Sequence, residues 1–325
     1  GGLKLILVIS KLLLKLTHLI SLLSEHLLPN FLLAKEFAGK FDHHIFITTG
    51  KMDENGITLR FCKSLNVDIQ DIKVILVSEN DLLDNLNKLQ MEKFSRDDKY
   101  LINLTGGTKI MSIAVFQHFF KFDAQYYYVP LAINKIENVR TGININLNYR
   151  LNLPEYLSLY GLHIEINNTN KTNYSNKGEA FERYVFNYIK KNRKLDSDKL
   201  QIALGVKIFR NIDEKLNDNE IDVMWIENNQ LYVGECKVSL WKPKEINKDK
   251  HPINNPTEYL NEIMYKLSAI SKDFGLKVNP YIFIKHGLDP KIFNEDRMKS
   301  IEKRMDILGI KGIYNEMELL KLNFL

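Results

Sequence analysis

The first half of this chain alternates short apolar runs with amphipathic segments. The runs are rich in β-branched and aromatic residues and are bounded by polar turns, which is typical of buried strands. They are THLISLL (17–23), HHIFITT (43–49), KVILVS (73–78), YLINLT (100–105) and AQYYYVP (124–130). The segments between them have the apolar spacing of helices. Because strands that alternate with helices are joined by crossovers, the pattern predicts a parallel sheet with helices on both faces.

Two polar stretches follow the fifth run. The first, 132–150, ends in the alternating residues INLNYR and predicts a hairpin at the edge of the sheet. The second, NNTNKTNYSNK (167–177), is rich in Asn and Thr and has no periodicity, so we interpret it as a linker between domains. A first domain over 17–166 and a second over 178–325 are therefore expected.

The second domain also mixes helices and strands. We predict a helix over 178–191, then strands, then a long helix over about 256–273. The strand PYIFIK (280–285) follows, and the chain ends in a helix, a strand and a helix. The pattern predicts a second α/β domain. No separate helix-turn-helix is evident between the two halves, which counts against a DNA-binding regulator.

Residues 1–16 are of uncertain origin. Lys4, Lys11 and Lys15 interrupt their apolar run, so we favour an added extension or an extra helix over a signal peptide or membrane anchor, and expect no membrane partner. The net charge of +5 suits a transient nucleic-acid partner without requiring one. Cys62 and Cys236 match no zinc spacing, which favours a reduced, cytoplasmic protein.

The stretch NEIDVMWIENNQLYVGECKV (219–238) predicts a hairpin that carries chemistry. Asn228-Asn229 suits its tight turn, because Asn tolerates positive φ. In a hairpin centred there, Asp222 lies directly opposite Glu235. Since side chains alternate between the faces of a strand, Lys237 projects from the same face as Glu235.

Two facing carboxylates in mostly apolar strands repel each other unless a cation lies between them. Oxygen ligands of this kind favour Mg²⁺ or Mn²⁺ over zinc, so we expect Asp222 and Glu235 to hold such an ion. Lys237 would then hold the attacking water or offset charge on the phosphate. The alternative is an exposed hairpin face with a solvated salt bridge, which the apolar residues around Glu235 disfavour.

The helix GEAFERYVFNYI (178–189) supplies a third carboxylate. Asn176 and Glu179 have the spacing of an N-cap and its N3 partner. Glu182 lies at the edge of the apolar stripe, from where it can face the hairpin as a supporting catalytic residue and metal ligand. The alternative for Glu182 is a position facing solvent.

Glu182, Asp222 and the Glu235-Cys236-Lys237 element resemble the PD-(D/E)XK nuclease superfamily over roughly residues 175–287. Ile221 stands where the proline of the superfamily's name would be. The resemblance implies a restriction-endonuclease-like α/β domain and a metal-dependent phosphodiester hydrolase.

A glycine-rich turn, Thr105 to Lys109 (TGGTK), joins the fourth run to a helix. Glycines there let a ligand approach the backbone, and the helix N-terminus favours anions. The turn matches neither the dinucleotide-binding nor the Walker A pattern. In a sheet ordered 3-2-1-4-5 it would share the switch-point crevice with the loop 24–30. The alternative is a tight turn with no ligand.

Together, NLTGGTKIMSIA, the SEHLLPN loop and EYLSLYGL (155–162) resemble a CARF domain, a Rossmann-like sensor. From about Thr17 the chain is similar to the CARF–PD-(D/E)XK nucleases of type III CRISPR antiviral defence. That resemblance implies an allosteric homodimer, activated by a cyclic oligoadenylate, usually the tetra-adenylate, to cut DNA, RNA or both. The ligand contacts it implies are Ser24, Glu25, Asn30, Thr105, Gly106, Gly107, Thr108, Lys109, Tyr128 and Pro130.

Two other functions stay open from the sequence. One is a restriction- or repair-type endonuclease that recognises nucleic acid directly and responds to no cyclic nucleotide. The other is a non-catalytic ligand-sensing adaptor, which the complete Asp/Glu/Lys set disfavours.

Overall fold

The computed structural model describes residues 15–131, 133–166, 176–210, 219–241 and 255–319. The chain divides into two compact units, Gly1–Tyr149 and Arg150–Leu325. Within the described residues, no helix is both long enough and apolar enough to cross a lipid bilayer. The predicted extension lies outside the described residues except for Lys15 and Leu16.

The first unit is a sheet with helices between its strands. The strands are β1 (Thr17–Leu22), β2 (His43–Thr49), β3 (Lys73–Val77), β4 (Lys99–Asn103), β5 (Asp123–Tyr128), β6 (Lys135–Asn138) and β7 (Asn144–Asn146). The helices are α1 (Leu28–Glu36), α2 (Gly50–Glu54), α3 (Ile57–Leu65), α4 (Leu82–Met91) and α5 (Lys109–Phe119), with a short 3₁₀ turn at Ile69–Asp71.

The sheet order is β3-β2-β1-β4-β5-β6-β7. Strands β1 to β5 pair in parallel, and β6 and β7 form an antiparallel hairpin at one edge. The predicted parallel sheet and edge hairpin are therefore confirmed. The order reverses between β1 and β4, so the segments that leave these strands border one crevice.

The second unit contains the strands β8 (His163–Ile166), β9 (Ile202–Phe209), β10 (Asn219–Glu227), β11 (Gln230–Lys237), β12 (Val278–Ile284) and β13 (Gly312–Tyr314). Its helices are α6 (Leu153–Ser158), α7 (Lys177–Asn192), α8 (Pro256–Lys272), α9 (Glu295–Leu308) and α10 (Glu316–Leu319). The sheet order is β13-β12-β11-β10-β9-β8. Strands β8 to β11 are antiparallel, and β11 to β13 are parallel, which gives the mixed α/β sheet.

The units divide earlier than the predicted linker at 167–177, most of which lies outside the described residues. Strand β8 pairs with β9, so Ile164 lies opposite Ile208 in the second sheet. In α6, the Tyr156 hydroxyl donates to the Phe274 carbonyl at 3.0 Å. Residues 150–166, including EYLSLYGL, therefore pack with the second unit rather than with the first sheet.

Candidate functional sites

The β10–β11 hairpin has the predicted turn and register. Asn228 and Asn229 have φ values of 52° and 60°, the left-handed backbone of a type I′ turn. Val223 pairs with Gly234, and the pairing continues to Glu227 and Gln230. Asp222 and Glu235 occupy the next step of this register.

Three charged side chains meet at that step. The Lys237 ammonium lies 2.6 Å from Glu235 Oε1 and 3.7 Å from Asp222 Oδ2. The Cys236 amide donates to Asp222 Oδ2 at 2.7 Å. The side chains of Glu235, Asp222 and Lys237 are 10%, 18% and 24% exposed. The structure therefore brings the predicted Asp, Glu and Lys together in a largely buried cluster, not on a solvated hairpin face.

Burial and mutual repulsion shift the pKa values of this cluster. Burial first, and then repulsion by Glu235, raise the pKa of Asp222 to about 7, against the opposing effects of Lys237 and the Cys236 amide. Burial alone would lower the pKa of Lys237, but the Asp222 and Glu235 carboxylates outweigh it and raise that pKa. Lys237 is therefore a permanent cation at neutral pH, and one of its acidic neighbours is poised to take up a proton.

Glu182 lies on α7 within electrostatic range of this cluster. Burial raises the pKa of Glu182, Lys237 lowers it, and Glu179, Glu220 and Glu235 raise it further. In the described part of the chain Glu182 makes no hydrogen bond to the other three residues. The predicted cap is confirmed, because the Asn176 side chain accepts from the Glu179 amide at 3.0 Å.

The donor set suits a hard divalent cation, although in the described residues no three His, Cys, Asp or Glu side chains converge closely enough to hold an ion as they stand. Instead, three oxygens face the Lys237 ammonium: those of Glu235 and Asp222, and the Cys236 carbonyl at 3.1 Å. Carboxylate and carbonyl oxygens are the ligands that Mg²⁺ and Mn²⁺ accept. The position between these oxygens, where a divalent ion would bind, therefore already accommodates the positive charge of Lys237.

Sequence reasoning did not include Cys236 or Tyr259 in this centre. Both backbone groups of Cys236 contact the cluster, and the Tyr259 phenol on α8 acts on the pKa of Lys237. The E-x-K spacing signals the first, because the residue between two same-face side chains places its amide and carbonyl beside them. Nothing local signals Tyr259.

The glycine-rich turn follows β4 in the first unit. The Thr105 hydroxyl donates to Asn103 Oδ1 at 2.6 Å and accepts from the Val129 amide at 2.8 Å. A Cβ on Gly106 would lie 1.9 Å from the Leu22 carbonyl oxygen, so only glycine fits there. Gly107 has a φ of +71°, which also favours glycine.

Asn30 lies behind this turn rather than at its surface. It is fully buried, donates to the Leu22 carbonyl at 2.7 Å and accepts from Asn103 Nδ2 at 2.9 Å. The structure therefore gives Asn30 the task of joining α1 to β1 and β4, and it offers no free surface to a ligand. Asn103, which sequence reasoning missed, is the centre of this network.

A cavity of about 290 Å³ opens between the glycine turn and the neighbouring loops. Four predicted contacts line it: Ser24, Glu25, Gly107 and Thr108. The other residues of its lining are Leu23, His26, Thr49, Met52, Glu79 and Met111. Of the described residues, the remaining predicted contacts lie outside this lining: Asn30, Thr105, Gly106, Lys109, Tyr128 and Pro130.

Family models match both halves of the chain. A model described as the Card1 CARF domain matches residues 18–156, and one described as the Card1-like endonuclease domain matches residues 169–318. The second range contains Glu182, Asp222, Glu235 and Lys237. No curated protein sequence matches the chain.

Solved structures share the fold at low identity. Can2 from Sulfobacillus thermosulfidooxidans, solved with cyclic tetra-adenylate, is 18% identical with a TM-score of 0.67, over 94% of this chain and 96% of that one. Protein VC1899 from Vibrio cholerae is 15% identical with a TM-score of 0.68, over 93% and 95%.

A third similar structure is described as a type III CRISPR defence DNA nuclease activated by cyclic oligoadenylate. It is 14% identical with a TM-score of 0.58, over 84% of this chain but only 45% of that longer one. The fold and the two adjacent family matches agree, and the chain belongs to the family in which a Card1 CARF domain is followed by a Card1-like endonuclease domain.

Proposed function

We propose that this protein is a metal-dependent endonuclease of type III CRISPR antiviral defence. A cyclic oligoadenylate activates it, and the proposed activator is cyclic tetra-adenylate. Its substrate is DNA, RNA or both, and it acts in the cytoplasm. The observation that carries the proposal is the buried cluster of Asp222, Glu235 and Lys237 at the end of the β10–β11 hairpin. The cyclic tetra-adenylate bound to Can2 and the activator named for the DNA nuclease support the ligand.

Asp222, Glu235 and the Cys236 carbonyl would hold a Mg²⁺ or Mn²⁺ ion, with Glu182 in support. When bound, such an ion supplies Lewis-acid stabilisation of a phosphate and lowers the pKa of a water. Lys237 contributes its own chemistry. Since its pKa is raised, it acts as a cation and hydrogen-bond donor toward the phosphate or the attacking water, and not as a general base.

We also propose that the first unit forms a homodimer through α5 and the residue that follows it. Ile113, Phe116 and Phe120 have the spacing of one helical face and are 50%, 37% and 54% exposed. They line a shallow cavity of about 680 Å³. Because α5 begins at the glycine turn, a second copy on this face would place two crevices around a two-fold axis, as a symmetric ring requires.

The dimer is tested by sedimentation of Phe116→Glu against wild type. We expect the variant to be monomeric and to lose ring binding, whereas Ile307→Glu, on the 83% exposed side chain of Ile307 in α9, should stay dimeric. A dimeric Phe116→Glu protein would place the interface elsewhere.

Cleavage assays test the function. Wild type and Asp222→Ala are incubated with Mg²⁺ or Mn²⁺ and labelled RNA, single-stranded DNA or plasmid, with cyclic tetra-adenylate, cyclic hexa-adenylate or no ring. We expect cutting by wild type only when a ring is present, and none by Asp222→Ala. Equal cutting without a ring would favour the restriction- or repair-type enzyme. A chain that never cuts, and whose Glu235→Ala variant still protects cells, would be an adaptor.

A further inference from the structure

Three residues that line the crevice with the glycine turn were not assigned by the resemblance. Thr49 ends β2, Met52 lies on α2, and Glu79 follows β3. Among the described residues, the lining contains two carboxylates, Glu25 and Glu79, and neither lysine nor arginine. The carboxylates of this lining are suited to groups that donate hydrogen bonds.

The backbone at Glu79 is held firmly from both sides. Ser78 exchanges two hydrogen bonds with buried Asn85, from its amide to Asn85 Oδ1 at 2.6 Å and from Asn85 Nδ2 to its carbonyl at 2.9 Å. The Thr108 hydroxyl donates to the Glu79 carbonyl at 2.8 Å. Thr108 also caps α5, so the loop that carries Glu79 is tied to the glycine turn.

The Glu79 side chain itself takes no part in this network. It is exposed, and its carboxylate has no hydrogen-bond or ion-pair partner within the described ranges. The hydrogen bonds fix the backbone from which the side chain extends, and the unpartnered carboxylate is available to a ligand.

We propose, on the basis of the function proposed above, that Glu79 selects the base of the cyclic ligand by accepting a hydrogen bond from the exocyclic amine of adenine. Met52 packs against the base, because a flexible thioether fits an aromatic ring well. The phosphates face the backbone of the glycine turn in the same cavity. A base with a carbonyl oxygen in place of the amine would present an acceptor to an acceptor and be rejected.

Removing the Glu79 charge changes the affinity for the ring in opposite directions for a carboxylate that accepts from the base and for one that only repels the phosphates. A cyclic oligoadenylate carries one negative charge per phosphate, so an idle carboxylate in its site repels it. Removal of an idle Glu79 would tighten binding. Removal of a carboxylate that accepts from the base weakens binding, because the buried amine is left without a partner.

The test measures the dissociation constants of two rings by calorimetry with the full-length protein. One ring is cyclic tetra-adenylate. The other is the cyclic tetramer of purine riboside, which lacks only the exocyclic amine. The proteins are wild type, Glu79→Ala and Glu54→Gln, a matched loss of charge at an exposed residue of α2 outside the lining. Thermal unfolding checks that all three are folded.

We expect Glu79→Ala to bind cyclic tetra-adenylate at least about tenfold more weakly than wild type does. It should bind the purine ring at least as tightly as wild type binds that ring, because Glu79 is idle toward a base without the amine, and Glu54→Gln should match wild type. Tighter binding of cyclic tetra-adenylate by Glu79→Ala, or equal losses for both rings, would overturn the assignment of Glu79 while leaving the proposed function intact. A wild type that binds neither ring would overturn both.

Discussion

Lys237 has two roles in the proposed chemistry of the second unit. Its ammonium faces oxygens of Glu235, Asp222 and Cys236, so it offsets part of the negative charge of the two carboxylates. In the proposed mechanism the same amine stabilises negative charge on the phosphate during cleavage. Removing the Lys237 charge should therefore slow cleavage without weakening metal binding.

We expect Lys237→Met to cut nucleic acid about 100-fold more slowly than wild type, since a charge that stabilises the transition state is lost. Its Mn²⁺ affinity should equal or exceed that of wild type, because an ammonium no longer competes with the ion. Single-turnover cleavage and Mn²⁺ calorimetry measure the two effects. The exposed Lys272→Met variant is the control, and full cleavage by Lys237→Met would contradict the assigned role.

Asp222 gives the metal-free protein a characteristic pH dependence. Its pKa is about 7 in the folded chain and near 3.8 in the unfolded chain, so between these values the folded state binds more protons. The free energy of unfolding should therefore fall as pH rises from about 4 to about 7, and this contribution should then level off. Urea unfolding in a chelator should show this fall in wild type.

Asp222→Asn should remove that part of the fall, because its side chain does not titrate. The exposed Asp198→Asn variant should keep it. Identical pH profiles for wild type and Asp222→Asn would mean that the folded structure does not raise the pKa of Asp222.

At the scale of elements, the β4–α5 turn depends on the close approach of Gly106 to β1. A methyl group there would collide with the Leu22 carbonyl and with Asn30 Nδ2. Gly106→Ala should therefore lose about 1–3 kcal/mol of stability and bind cyclic tetra-adenylate more weakly, as measured by urea unfolding and calorimetry. Gly50→Ala is the control, because a Cβ at Gly50 meets nothing within 4 Å. A wild-type ring affinity in Gly106→Ala would show that the turn is not part of the site.

The elements themselves were predictable where a local pattern determines them. The five parallel strands begin and end within about two residues of their predicted bounds, as is usual for strong periodicity. The turn at Asn228-Asn229 fixes the hairpin register, so Asp222 and Glu235 could be paired from sequence. The strand β8 could not be placed, because only its pairing with distant β9 assigns it to the second sheet.

The same reasoning explains which site residues were missed. Met52 lies after β2 in the sequence, and Glu79 lies after β3. Both line the crevice only because the sheet is ordered β3-β2-β1-β4. Asn30 was predicted as a ligand contact from resemblance, whereas its burial against Leu22 and Asn103 depends on packing that no local pattern reveals.

At the scale of the whole molecule, the proposal requires that ring binding and cleavage share a coupling free energy. A ring activates only if it binds the cutting-competent state more tightly than the idle state. Coupling of this kind is reciprocal for binding. If the ring tightens the binding of nucleic acid by some factor, nucleic acid must tighten the binding of the ring by the same factor.

This reciprocity can be measured with Ca²⁺, a divalent ion chosen to support binding without cleavage, and a labelled oligonucleotide. We expect the ring's dissociation constant to fall when the oligonucleotide is present, by the factor found in the reverse titration. Unequal factors would mean that the two measurements do not report one two-state equilibrium.

The central claim is that Asp222, Glu235 and Lys237 form a cutting centre under the control of a ring bound to the first unit. The most direct measurement is the single-turnover cleavage rate of wild type and Asp222→Asn with Mn²⁺, each with and without cyclic tetra-adenylate. The account predicts a large increase on ring addition in wild type and no cleavage in Asp222→Asn under either condition, although both proteins bind the ring equally. Ring-stimulated cleavage by Asp222→Asn would contradict it.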